Sequence, residues 1–246
     1  MDDPPNFNTF NIVLASFALV IVCRVFMRDK KIFYVRERKT LAFLTGTVYH
    51  SHIRNARPNF KSFFGGFFTM IYHSTRNEQL TASSTHAVLQ GIAPDGGLYI
   101  CDPAALRFDW RAALEKDTLS MAADILHALL PDFQDMDRLV RDSYAGKFPT
   151  SDLTPLTPVA DKYVLELYHG PTSAFKDVAL SVLPRLIVAA AKAEGMKGDV
   201  VILTATSGDT GKAAMEGFHD VPGTRITVFY PYGGVSAVQQ AQMATQ

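Results

Sequence analysis

Residues 163–211 read "YVLELYHGPTSAFKDVALSVLPRLIVAAAKAEGMKGDVVILTATSGDTG". Two strand-like runs bracket one helix-like run. "YVLELY" (163–168) reads as a strand, and "SAFKDVALSVLPRLIVAAAKAEG" (173–195) as a helix. Pro184 interrupts or kinks that helix, and Gly195 stops it. "DVVILTA" (199–205) is a near-continuous apolar run, the pattern of a strand buried on both faces. Downstream, "GKAAMEGFHD" reads as a helix, "RITVFYP" (225–231) as a strand, and "SAVQQAQMAT" (236–245) as a helix capped by Ser236. Strand–helix–strand–helix–strand predicts an α/β chain built on a parallel sheet with right-handed crossovers. In such sheets ligands bind beyond the carboxyl ends of the strands.

Two loops fall at those ends: "HGPTSAFKD" after 163–168 and "TSGDTG" (206–211) after 199–205. Adjacent parallel strands would bring both to one crevice. In the second loop, Gly208 and Gly211 let backbone N–H groups approach a ligand, and the helix that follows favours an anion at its N-terminus. A P-loop is excluded, because Gly211-Lys212 is followed by Ala213 and position 206 is Thr. A carboxylate or small anion suits the loop, although a plain helix start would look the same. In the first loop Lys176 lies within the first turn of its helix. The positive end of the helix dipole disfavours an ammonium there, and an apolar flank such as Phe175 adds to this. Such an amine suits Schiff-base chemistry. A solvated lysine paired with Asp177 is the other reading, and position alone leaves the two open.

The remainder of the chain divides near residue 70. Between Arg24 and Lys61 there are ten Lys/Arg against two acids, whereas from Met70 onward there are 14 basic and 20 acidic residues. That acidic balance argues against nucleic acid as a partner. Cys23 and Cys101 match no metal spacing and no disulfide framework, which favours a reducing compartment. "FNIVLASFALVIVC" (10–23) is shorter than the roughly 20 residues of a spanning helix, unless Arg24 snorkels and the run reaches Met27. Its cations follow the apolar core, which is wrong for a signal peptide. Residues 1–69 are expected to be an upstream extension before a true start at Met70, a membrane anchor, or a disordered or targeting extension. From Met70, "MIYHSTRN" and "LYI" read as short strands. A helix capped by Ser83 or Ser84 runs to Gln90. "TLSMAADILHALLPDF" (118–133) reads as an amphipathic helix stopped by Pro131. "MDRLVRDSYAGKF" reads as a second short helix ending at Gly146, and "PTSDLTPLTPVADK" (149–162) as a connection.

Taken in series, "HGPTSAFKDVAL", "ATSGDTGKAAMEGF", "YHSTRN", "AVLQGIAPDGGLYI", "VFYP" and "VSAVQQAQMATQ" closely resemble threonine synthase over residues 70–246. That family uses pyridoxal 5'-phosphate (PLP) and has the tryptophan-synthase-β-like fold type II. The resemblance implies residues 70–148 as its N-terminal domain and 149–246 as the first part of its PLP-binding α/β domain. It implies Lys176 as the catalytic, PLP-bearing lysine, with Phe175 beside the pyridine ring and Asp209 on the cofactor's O3′ side. Ser207, Gly208, Thr210 and Gly211 would hold the substrate carboxylate, with Thr172 and Asp177 in support. The implied reaction, in the cytoplasm, turns O-phospho-L-homoserine and water into L-threonine and phosphate, and needs no metal.

The sequence departs from the family in one respect. The glycine-rich loop that grips the cofactor phosphate in these enzymes is not found in it. Residues 1–246 alone are therefore expected to bind PLP weakly and turn over little. A non-catalytic paralogue and a membrane-tethered interaction protein reusing the lobe are the competing readings.

Overall fold

The structure is a computed structural model that describes residues 70–106, 108–206 and 208–245. The expectations for residues 1–69, among them the apolar segment 10–27 and Cys23, lie outside the described residues, as does Ser207.

The N-terminal part is a small antiparallel sheet with helices packed after it. Strands β1 (Tyr72–Ser74), β2 (Thr81–Ala82) and β3 (Tyr99–Cys101) pair in the order β2-β1-β3. The turn before β3 closes on Asp95, which accepts from the Ser74 hydroxyl at 2.8 Å and the Gly97 amide at 2.9 Å. Only glycine fits at 97, since a Cβ there would stand 2.0 Å from Ser74 Oγ. Helix α1 (Ser84–Gln90) starts where the sequence predicts, with the Ser83 side chain accepting from the His86 amide. Helices α2 (Trp110–Leu114), α3 (Thr118–Leu129) and α4 (Met136–Tyr144) follow. Asp117 caps α3 by accepting from the amides of Leu119 and Ser120. The Tyr72 hydroxyl donates to the Leu129 carbonyl at 2.6 Å and ties β1 to the end of α3.

The next segment corrects two expectations. Residues 149–162 are not simply a connection, because they contain β4 (Leu156–Val159). The run 163–168 does not open the parallel sheet. Its strand, β5 (Lys162–Leu165), pairs antiparallel with β4 in a hairpin, from Val159↔Lys162 to Leu156↔Leu165. The turn between them is short and Ala160 takes a left-handed φ of 54°. Local closure thus claims β5 before any longer-range pairing can.

Helix α5 (Asp177–Ala193) is the central element. It starts four residues later than the 173–195 reading, because residues 170–176 fold back as tight turns with Ser173 at φ 57°. Lys176 is therefore the N-cap and not a first-turn residue. One face of α5 (Val182, Leu186, Ala190) packs with Ala122, Leu126, Val140 and Tyr144 of α3 and α4. The other face (Ala179, Leu180, Leu183, Ile187) packs with α6 (Asp209–Phe218) and with Val200, Ile202 and Ile226 of the sheet. Burial on both faces explains why the helix reads as apolar nearly all round. Pro184 sits fully buried inside it and leaves the Leu180 carbonyl without its i+4 donor. Gly217 of α6 lies against that carbonyl, where an added Cβ would come within 2.2 Å of the oxygen.

Strands β6 (Val200–Ala205) and β7 (Thr224–Phe229) are parallel, in register from Val200↔Thr224 to Ala205↔Phe229, with α6 as their crossover. Helix α7 (Ala237–Ala244) closes the described chain with a capping box between Ser236 and Gln239. β6 was expected to be buried on both faces. Instead it alternates, with Val201 58% and Leu203 68% exposed and only the α5-facing side covered.

Candidate functional site

The first loop is organised around a buried carboxylate. Asp177 accepts from the Thr172 amide at 2.8 Å and the Thr172 hydroxyl at 2.5 Å. Burial pushes its carboxyl above the ordinary value, against the pull of those two bonds. Gly170 lies so close that a Cβ would stand 2.4 Å from the Asp177 side chain. Asp177 therefore serves the loop, and the pairing of Lys176 with Asp177 considered from sequence does not form.

Lys176 turns to the second loop instead. Its ammonium donates to the Thr210 hydroxyl, in the first turn of α6. The two sequence loops do meet, although not as neighbouring parallel strands. The N-terminal ends of two packed helices, α5 and α6, bring them together. Lys176 is half-buried. Phe175 is 47% exposed, and its ring centroid lies 5.7 Å from the Lys176 nitrogen. The ring thus faces the cation at cation–π range and does not seal it from water.

In the loop 206–211, the glycine amides are not offered outward. Gly208 and Gly211 donate to Thr206 Oγ1 at 3.2 and 3.1 Å. Gly211 serves packing: a Cβ there would lie 2.1 Å from Thr206 Cγ2 and 2.9 Å from Val228 Cγ1. The amides left without intrahelical acceptors by helix geometry are those of Asp209 and Thr210, the first two residues of α6. An anion donor set at this helix end therefore consists of those two amides and the Thr210 hydroxyl, with the Lys176 ammonium beside them. Asp209 itself faces partly outward. The Gln239 amide first, then the Lys212 and Lys176 ammonium groups, hold its carboxyl below the usual range.

Three further residues at this site are not apparent from sequence. Lys212 is buried and donates to Gln242 Oε1 at 2.9 Å, with its nitrogen 3.7 Å from Asp209 Oδ1. Gln239 donates to Asp209 Oδ1 at 3.0 Å. Both glutamines come from α7, and only the tertiary fold brings them here. Upstream, Glu166 lies 2.5 Å from His169 and accepts from the Thr157 hydroxyl at 2.7 Å. Among the described residues no cluster of His, Cys, Asp or Glu is arranged to hold a metal, and no helix is long and apolar enough to cross a membrane.

Comparison with known proteins agrees with this architecture. Residues 71–156 match the family model "Threonine synthase N terminus". Threonine synthase of Saccharomyces cerevisiae is 36% identical over 197 residues, covering 72% of this chain and 38% of that protein. Threonine synthase-like 1 of Pongo abelii is 31% identical over 173 residues, covering 65% of this chain and 23% of that protein. The crystal structure of PLP-bound threonine synthase from Brucella melitensis superposes with a TM-score of 0.64 at 38% identity, over 71% of this chain and 38% of that one. The chain thus spans about two fifths of the length of the threonine synthases it matches. Its described residues form part of the tryptophan-synthase-β-like fold type II. Family match, sequence and fold agree, and from residue 71 onward the chain belongs to the threonine synthase family.

Proposed function

We propose that Lys176 is the lysine through which this protein holds PLP, and that the protein is a threonine synthase acting on O-phospho-L-homoserine in the cytoplasm. The observation that carries this reading is the Lys176–Thr210 hydrogen bond. It joins two loops, each placed by its own helix, around one amine and one anion-favouring helix end. The residues present suit the aldehyde end of the cofactor: a half-buried primary amine, a hydroxyl partner and an exposed aromatic face on Phe175. Gly96, Gly97 and Gly234 are taken up in local contacts. Gly96 and Gly97 pack against Arg76 and Ser74, and Gly234 closes a turn onto the Pro231 carbonyl.

When bound, PLP supplies an electron sink for charge developing at the substrate Cα. The Lys176 amine moves protons at Cα and Cβ. The Asp209 and Thr210 amides and the α6 dipole bind the substrate carboxylate. Gly208 and Gly211 shape the loop that receives it, and the family resemblance adds Ser207 to the carboxylate-binding set. Thr210 orients the lysine, Asp209 would help hold the cofactor, and Thr172 with Asp177 fixes the turn that presents Lys176.

The test is turnover by the natural protein with O-phospho-L-homoserine and PLP. Equimolar threonine and phosphate are expected, and Lys176→Ala abolishes both. A second reading, a family member without this turnover, is supported by the similarity to threonine synthase-like 1. PLP captured on Lys176 with no threonine formed would decide for it.

A further inference from the structure

The loop 206–211 does not stand on its own helix alone. Helix α7 lies against it, and two residues one turn apart on α7 reach across. Gln239 uses both ends of its amide. Its oxygen accepts from the Ser236 amide at 3.1 Å and so completes the cap of α7, while its nitrogen donates to Asp209 Oδ1 at 3.0 Å. The same amide covers Gly208, where a Cβ would stand 2.5 Å from Gln239 Nε2. Gln242 accepts from the buried Lys212 ammonium at 2.9 Å, and Lys212 in turn lies 3.7 Å from Asp209. The cap of one helix and the first turn of the other therefore share one side chain.

We propose that Gln239 and Gln242 are positioning residues, and that α7 is a clamp on which the order of the anion loop 206–211 depends. This deepens the proposed function and rests on it only for the identity of the anion, an amino-acid carboxylate. The clamp itself is a property of this chain.

Gln239→Glu separates the two jobs of the side chain. A glutamate oxygen still accepts from Ser236, since glutamate serves in this capping position as glutamine does. Toward Asp209 it replaces a donor with a second carboxylate. The charges facing Asp209 would then be the introduced carboxylate from α7, Lys212 from α6 and Lys176 from the α5 cap. As the pH falls, the two carboxylates can share one proton, and the donor is restored.

The experiment is amide hydrogen exchange on the full chain, read as protection factors across pH. In Gln239→Glu at neutral pH, protection of the Gly208, Gly211 and Lys212 amides should fall by about tenfold or more, as for loss of one hydrogen bond to a charged group. The amides of α7 should hold, and loop protection should recover as the pH drops into the carboxylate range. Gln242→Met removes the acceptor for Lys212 at similar length, and should lower protection of the Lys212 amide while leaving the α7 cap intact. Loop protection within about twofold of wild type in both variants at neutral pH overturns the clamp. So does a neutral-pH loss in Gln239→Glu that does not recover at low pH. Reductive capture of PLP on wild-type Lys176, run in parallel, keeps the two readings apart. Loop protection lost in the variants with no PLP on Lys176 leaves the clamp standing and overturns the proposed function.

Discussion

At the scale of single residues, the site depends on close approaches that leave no room for side chains. Gly211→Ala places a methyl between Thr206 and Val228. It should destabilise the protein by about 1–3 kcal/mol, the usual cost of overpacking, measured as a shift in the urea midpoint at constant slope. Glu166 gives a pH signature. Its carboxyl is held below the ordinary value, first by His169 and then by the Thr157 hydroxyl. The unfolded chain therefore takes up that proton more readily than the folded one. The stabilisation is present above the ordinary glutamate range and is lost as pH falls through the lowered folded value. Glu166→Gln should flatten that acid limb in midpoints recorded across pH, and an unchanged limb would remove Glu166 from the account. Lys176 stands out in the sequence because it is a lone cation in a recognisable loop between a strand-like and a helix-like run. Gln239 and Lys212 do not stand out. Their roles depend on α7 returning to α6, and neither residue has a local pattern that says so. The glycines of 206–211 were readable as special, but the reason was not. They make room for Thr206, Val228 and Gln239, and do not present their amides to a ligand.

At the scale of elements, the legible parts were those whose ends carry caps or breakers. Ser83 and Ser236 mark helix starts by side-chain capping, and the structure places α1 and α7 there. β5 was legible as a strand, but its partner was not, because apolar spacing fixes a face and does not name a neighbour. The N-terminus of α5 was blurred for a related reason. "SAF" continues a helical pattern, while Ser173 in a left-handed conformation and the grip of Asp177 on Thr172 stop the helix short. The helix also explains how two cores act as one, since opposite faces of α5 belong to each. Leu186, fully buried on the α3–α4 side, should cost about 2–5 kcal/mol as Leu186→Ala. Trp110 fluorescence and far-UV circular dichroism should shift together, because α5 is shared. A separated pair of transitions would mean that the two cores unfold independently.

At the scale of the whole molecule, the chain spans about two fifths of the length of the threonine synthases it matches, and one face of its parallel strand pair is open. β6 is apolar on both faces in sequence and covered on only one, with Val201, Leu203 and Phe229 standing open. Leu203→Lys should therefore change the free energy of unfolding by less than about 0.5 kcal/mol, as for an exposed position, measured by urea denaturation. The fold class was legible because strand and helix alternate with clear breakers from 199 onward. The site was legible as far as its two loops, since each is local in sequence. The central claim is that Lys176 is the amine this fold reserves for PLP, and reductive trapping tests it most directly. The folded chain is treated with PLP and borohydride, digested, and every lysine is scored by mass spectrometry. Lys176 should carry more label than any other lysine, and Lys176→Ala should remove that label without moving it to Lys212. Label spread over exposed lysines such as Lys162 and Lys197, with Lys176 at or below their level, would contradict the account.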